Sequence, residues 1–458
     1  MDLQDKGIEF KLRLTNCKNY VKKLSLSFKN LGNAEFAIFL FQPLFVIMFI
    51  ISLIKTSYFN VDLNSILSFM AAEPPAGPEV YSSIKPTGVH FFGDYLLSSY
   101  WSQLPNPWIV LGPSNYPPFA LQIFELFSHF QYSTGLWLYL SFMLILLVLP
   151  FIVNFYQNKS LANIVLIFTV GLLNTPLLSS LDRGNISGYV ASFMFFGGYF
   201  LLKDRIYLAA FFIAIAAAIK IYPAILFLIF LSTRKFAALI FGLLVSALLF
   251  FGTFLLYTGS YLDTLKSFIL SIRFFTSPDS NSINCMNISY IGGLSDWLKI
   301  LDYNYLNQLV LGHFFQIQII LLFISSFLIF SKNIELWLKI VIGMSLTVTI
   351  PTLQYPYTMN WAIAALAITL FVSNGKNTST TEEFSTETSL VSVDSSSLKK
   401  LTAVMLILLL VPWPFALPPS VTSCSTSILP LIFFAAYSIF ISCLLVREIK
   451  LRSVKHVK

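Results

Sequence analysis

The residues able to do chemistry are few and widely spaced. Asp94 lies in Phe91-Phe92-Gly93-Asp94-Tyr95, in the first long polar stretch after the first hydrophobic segment. Further on come Asn115-Tyr116-Pro117-Pro118, Asp182-Arg183-Gly184-Asn185, Lys220-Ile221-Tyr222-Pro223, Arg273, Asn287-Ile288-Ser289 and Gln354-Tyr355-Pro356-Tyr357. A carboxylate in such a stretch can serve as a general base. A positioned base contributes about 10²–10⁴ in rate.

The elements that must hold these groups are set by composition. The chain has 458 residues, 56% hydrophobic and 16% aromatic with only 11% charged, and a mean hydropathy of +0.76. That much apolar surface cannot be hidden from water, so the expected class is an all-α polytopic membrane protein. The N-terminal segment carries Lys6, Lys11, Arg13, Lys18, Lys22, Lys23 and Lys29 without a signal-peptide cleavage pattern, so the run Phe36 to Ile54 reads as a retained signal anchor. Apolar runs long enough for roughly 30 Å of hydrocarbon follow near 134–156, 161–179, 186–202, 236–257, 307–331, 334–352, 358–373, 400–418 and 427–446.

The stretch 206–232 differs. Lys203 and Arg205 precede it, Arg234 and Lys235 follow it, and Lys220 stands in its middle. With both basic flanks cytosolic, the chain must go out and return, as two short tilted segments with Lys220 near their tip. Lys159, Lys332, Lys399, Lys400 and the tail from Arg447 then fall inside as well, with both termini cytosolic. The expectation is a bundle of about 12 membrane segments with amphipathic loop helices on the exoplasmic side. It divides into a basic N-terminus (1–34), a transmembrane core (35–373), a disordered Ser/Thr-rich cytosolic loop (374–398) and a two-span hairpin with a basic tail (399–458). The net charge of +8 is topological on this reading, and nucleic acid is not an expected partner.

The long stretches 58–133 and 258–306 fall outside, and all the polar groups named above converge on that face. Charges and broken helices near lipid persist where they line a protein or water-filled cavity. Cys17, Cys285, Cys424, Cys443 and the four His show no metal-ligand spacing, so no metal and no cofactor are expected.

The order of these motifs resembles glycosyltransferase family 87: a Gly-Asp-Tyr acid in the first outer loop, Asn-Tyr-Pro-Pro, a Gly-Asn pair opening a later span, a Lys-x-Tyr-Pro lysine and a late Asn-x-Ser. The resemblance runs over roughly residues 36–375. It implies a GT-C fold and inverting transfer, by a hexosyltransferase, of a sugar (mannose in the family) from a polyprenyl phosphate to a lipid or glycan acceptor in a membrane. A bacterial plasma membrane is preferred to the endoplasmic reticulum. Such a reaction needs no second carboxylic acid, because a lipid phosphate leaves as a stable anion whereas a sugar alkoxide does not. Asp94 is then the base. Lys220, Arg183, Arg273, Tyr222, Asn185 and Tyr116 are the expected groups for the donor phosphate and sugar. Tyr95, Asn115, Asn287, Tyr355 and Tyr357 are the expected lining of the acceptor side. Many members have Gly-Gln where this chain has Arg183-Gly184-Asn185, and a Trp-x-His-Tyr element where it has Gln354-Tyr355-Pro356-Tyr357, so sugar and acceptor stay open.

Plainer readings stand beside these. Asp94 also reads as a solvated loop acid, Pro117-Pro118 as a helix start, Lys220 as a snorkelling lysine and Arg183 as the partner of Asp182. Asn185-Ile186-Ser187 and Asn287-Ile288-Ser289 match glycosylation sequons. A lipid-linked glycan polymerase or ligase, and a transporter or flippase, are the competing functions; a transporter predicts two repeated halves, and no repeat is visible.

Overall fold

Charge-free runs rich in Leu, Phe, Ala and Ile leave the backbone one economical way to satisfy its own N–H and C=O groups in an apolar surrounding, the helix. In the computed structural model, which describes residues 92–109, 114–157, 170–276, 289–349, 356–374, 395–410, 429–457 and isolated positions between 43 and 51, the regular elements are all helical. The first are α1 (Gly93–Ser102), α2 (Pro118–Ser128), α3 (Tyr132–Gln157) and α4 (Thr175–Arg183). Then come α5 (Ser187–Leu202), α6 (Ile206–Ile219), α7 (Phe227–Ser232), α8 (Phe236–Gly252), α9 (Tyr261–Thr276) and α10 (Tyr290–Ile300). The last are α11 (Asn304–Gly312), α12 (Phe314–Phe330), α13 (Leu336–Thr349), α14 (Asn360–Asn374), α15 (Ser395–Leu410) and α16 (Leu429–Val457). The 1–34 segment and most of the 374–398 loop lie outside the described residues.

Among the described residues three helices, at Tyr132–Tyr156, Phe236–Leu256 and Leu431–Ser453, are long and apolar enough to cross a membrane, and α5, α6, α13 and α14 are shorter apolar helices. The protein is therefore a helical membrane protein. The run 307–331 is not one straight rod: α11 and α12 meet at an angle of 73°, at Gly312-His313. Gly312 has no neighbour within 4 Å of where a Cβ would stand, and glycine is a poor helix interior residue. At the centre, every residue of α14 from Trp361 to Phe371 is buried. On the rim, α8 exposes Leu244 (65%) and Leu248 (71%), as a lipid-facing surface requires.

The arrangement that positions the site is α5 to α8. The Ala-rich α6 buries Ala209, Ala210, Ala214, Ala216 and Ala217, and a Cβ on Gly197 of α5 would stand 2.5 Å from Ile213 Cγ1. Small residues let the two backbones approach where lipid gives no hydrophobic drive. Helix α5 ends in a turn with Asp204 at φ 54, closed by Arg205 N–H to the Phe200 carbonyl at 2.8 Å. Helix α7 ends in the same kind of turn, with Arg234 at φ 58 and Lys235 N–H on the Phe230 carbonyl at 2.8 Å. Both are left-handed helix caps of the Schellman type. The two turns touch, Lys235 Nζ lying 3.2 Å from Asp204 Oδ1. The chain thus goes out along α6 and returns along α7, with the basic flanks together at one end. Lys220 sits at the other, where extended backbone (φ −139, ψ 130) stops α6 and a 3-10 turn, Tyr222–Leu226, begins the return.

Candidate active site

Asp94 is fixed from both sides of the chain. It occupies the first turn of α1, after Phe92, whose φ of 60 is left-handed. A bulky residue in that region is strained, and Phe92 is only 1% exposed, so packing holds the strained turn. Next to Asp94, Tyr95 (1% exposed) is buried in a ring cluster with Phe124, Tyr132 and Tyr139. Tyr95, expected at a cavity wall, is therefore a packing residue beneath the site.

The facing element is the end of α4. Asn174 caps its start by accepting from Leu177 N–H at 2.8 Å, and Asn360 Nδ2 donates to Ser180 Oγ, pinning the helix to α14. Helix α4 closes on Gly184 at φ 62, with Asn185 N–H on the Ser180 carbonyl at 2.9 Å. Glycine is required twice here: for the left-handed backbone, and because a Cβ would stand 2.6 Å from Tyr95 Cβ. That close approach sets the neighbours of Gly184, Arg183 and Asn185, against the neighbour of Tyr95, Asp94.

The contacts are charge-assisted. Arg183 Nε donates to Asp94 Oδ2 at 2.9 Å and Nη2 to Oδ1 at 2.8 Å, a two-pronged guanidinium–carboxylate pair. Asn185 Nδ2 donates to Asp94 Oδ2 at 2.6 Å and to Tyr116 Oη at 2.9 Å. Of about four lone-pair positions on a carboxylate, these three bonds fill two on Oδ2 and one on Oδ1, leaving Oδ1 able to accept from an incoming hydroxyl. The carboxyl is 16% exposed, so it is reachable and largely shielded.

Lys220 joins from the return turn. Its Nζ donates to Ser187 Oγ at 2.7 Å, and Ser187 Oγ donates to Asn185 Oδ1 at 2.7 Å. Burial pushes the Lys220 ammonium down to about 8, with Asp94 opposing that shift and Arg183 adding to it. Lys220 is at the tip between α6 and the 3-10 turn, outside both. Tyr222, 41% exposed, lies two residues on.

Tyr116 is held by its loop. Its N–H donates to Ser114 Oγ at 3.1 Å, its carbonyl accepts from Trp108 Nε1 at 3.2 Å, and Ser271 Oγ of α9 donates to the Ser114 carbonyl. Pro118 is the first residue of α2, so the helix-start reading holds while Tyr116 still reaches the site. Asn115 is exposed. Arg273, in the last turn of α9, is exposed. Ser289 caps α10 by accepting from Gly292 N–H at 3.1 Å. Asn287 and Tyr355 lie outside the described residues, as does the side chain of Tyr357. The structure thus brings together Asp94, Arg183, Asn185, Tyr116 and Lys220. Arg183 is bound to Asp94, 89 residues away in sequence. Ser187 was the residue missed. Its signal was there, since Asn-x-Ser is also the pattern in which the Asn oxygen accepts the N–H two residues on, as it does here at 2.9 Å.

A carboxylate gripped by a guanidinium and an amide thus stands at one end of the apolar helical body of a membrane protein. The sequence model of glycosyltransferase family 87 matches residues 115–351, just over half of the chain, and the chain belongs to that family. The protein is a glycosyltransferase. The match takes in Tyr116, Arg183, Asn185, Ser187 and Lys220 and begins after Asp94, so it is narrower than the span over which the motifs resemble the family. No curated protein matches the chain.

Proposed function

We propose that the protein transfers a sugar, mannose as first candidate, with inversion from a polyprenyl phosphate to a lipid or glycan hydroxyl at the exoplasmic membrane face. The acceptor oxygen attacks the anomeric carbon, its proton passes to Asp94, the carbon–oxygen bond to phosphate breaks, and the lipid phosphate leaves as an anion. Lys220 and Tyr222 hold the donor phosphate. Arg183 and Asn185 orient the base, and Tyr116 supports Asn185. The observation that carries this reading is the two-pronged grip of Arg183 on Asp94, with Asn185 on the same carboxylate and one Oδ1 position left to accept.

The positive-inside bias supports the choice of leaflet. Lys203, Arg205, Arg234 and Lys235 gather at the end of α5 opposite Ser187, and sixteen residues of helix at 1.5 Å each make about 24 Å, close to the thickness of the hydrocarbon. The apolar helical body supports the GT-C architecture of about 12 membrane segments, with cytosolic termini and a bacterial plasma membrane as the first setting to test. The test is to incubate purified protein with polyprenyl-phosphate mannose and a panel of lipid and glycan hydroxyl acceptors, and to read the product's anomeric configuration by NMR. An inverted glycoside is expected. A retained configuration, or no product with any polyprenyl-phosphate sugar, overturns the reading, and the second outcome favours transport.

A further inference from the structure

We propose that Ser187 is a positioning residue that ties Lys220 to Asn185, and through Asn185 to Asp94, so that the phosphate-holding cation and the base are set as one unit. This rests on the roles just given to Asp94 and Lys220. The direction of every bond is forced. A backbone N–H only donates, so Ser187 N–H at 2.9 Å makes Asn185 Oδ1 the acceptor. The Asn185 Nδ2 must then face Asp94 and Tyr116; the flipped amide would set an oxygen against a carboxylate. An ammonium only donates, so Ser187 Oγ accepts from Lys220 at 2.7 Å. Its own proton is left for Asn185 Oδ1, at 2.7 Å.

Asn185 is fully buried and Ser187 is 5% exposed, so water is a poor substitute for either bond. One hydroxyl therefore joins three elements distant in sequence: α1 with Asp94, the α4–α5 turn with Asn185, and the break after α6 with Lys220. Among the described residues Asp94 and Arg183 are charged groups that act on Lys220 across this junction. Removing the hydroxyl leaves the backbone N–H of residue 187 on Asn185, so the amide keeps its orientation while Lys220 loses its bond to residue 187. The loss should show first in how the donor phosphate is held.

The test is a double-mutant cycle of Ser187→Ala and Lys220→Met, with Ser187→Thr as the rescue. It is read on affinity for polyprenyl phosphate, which needs no turnover, and separately on kcat and the donor KM. A hydrogen bond to a charged group sets the scale, so Ser187→Ala should weaken polyprenyl-phosphate affinity about 10- to 100-fold. Ser187→Thr should recover it to within about threefold by keeping the hydroxyl. The double variant should bind no worse than Lys220→Met alone, because the serine acts through the lysine. Multiplying losses, or Ser187→Ala within about twofold of native, overturn the proposal; melting temperatures identify a variant that has merely unfolded. Native turnover that survives Asp94→Asn would strike the functional reading instead, and the binding cycle would still judge Ser187.

Discussion

Arg183→Lys keeps the charge and removes the geometry. In the native protein Nε and Nη2 reach the two Asp94 oxygens at 2.9 and 2.8 Å, a fork that a lysine cannot reproduce because its ammonium is a point donor on a flexible stem. One of two charge-assisted bonds is lost, each worth about 1.5–3 kcal/mol. The side chains are 14% and 16% exposed, so salt and solvent screen the loss less than at a surface. Asn185 still holds Oδ2 and the lysine keeps one bond without fixing its direction, so the carboxylate can rotate and its free Oδ1 position no longer points at one place. At 1.36 kcal/mol per power of ten, kcat should fall about 10- to 100-fold. The donor KM should change by less than about threefold, because the arginine acts on the base rather than on the donor. The assay is steady-state transfer with native and variant proteins of matched melting temperature. A folded Arg183→Lys with kcat within about twofold of native would refute the reasoning that the fork orients the base.

Gly184→Ala should lower the melting temperature and kcat together. A left-handed alanine costs about 1–2 kcal/mol, and its Cβ would meet Tyr95 Cβ at 2.6 Å, so the turn must shift and take Arg183 and Asn185 with it; a variant as stable and active as native contradicts this. Lys220, whose ammonium burial pushes down to about 8, is charged below that pH and neutral above it. Affinity for polyprenyl phosphate should therefore hold at pH 7 and fall as pH rises through about 8, and Lys220→Arg should flatten the fall because a guanidinium stays charged. A native profile flat across that range would remove Lys220 from the phosphate site.

The parts of this arrangement that could be read from sequence were those set by single-residue physics. Charge-free runs gave helices, and paired basic residues placed 203–205 and 234–235 at one common end of the out-and-back pair, where the Lys235–Asp204 contact joins them. The motifs bearing Asp94, Tyr116, Arg183, Asn185 and Lys220 were visible because polar groups are costly in an apolar chain. Their pairing was not visible. Arg183 adjoins Asp182 in sequence, and its union with Asp94 depends on the glycine turn and on how closely Tyr95 packs under it, which no spacing encodes. Tyr95 shared its segment with Asp94 yet points into the aromatic core. The break at Gly312-His313 was hidden because hydropathy reports that a run is apolar, not that it bends.

The central claim is that Asp94 takes the acceptor's proton. Its most direct test is transfer from polyprenyl-phosphate mannose by Asp94→Asn, an isosteric change that keeps a hydrogen-bonding side chain and removes the base. In that variant kcat should be lower by about 10²–10⁴, with polyprenyl-phosphate affinity near native. Turnover at the native rate in a folded Asp94→Asn protein would contradict it.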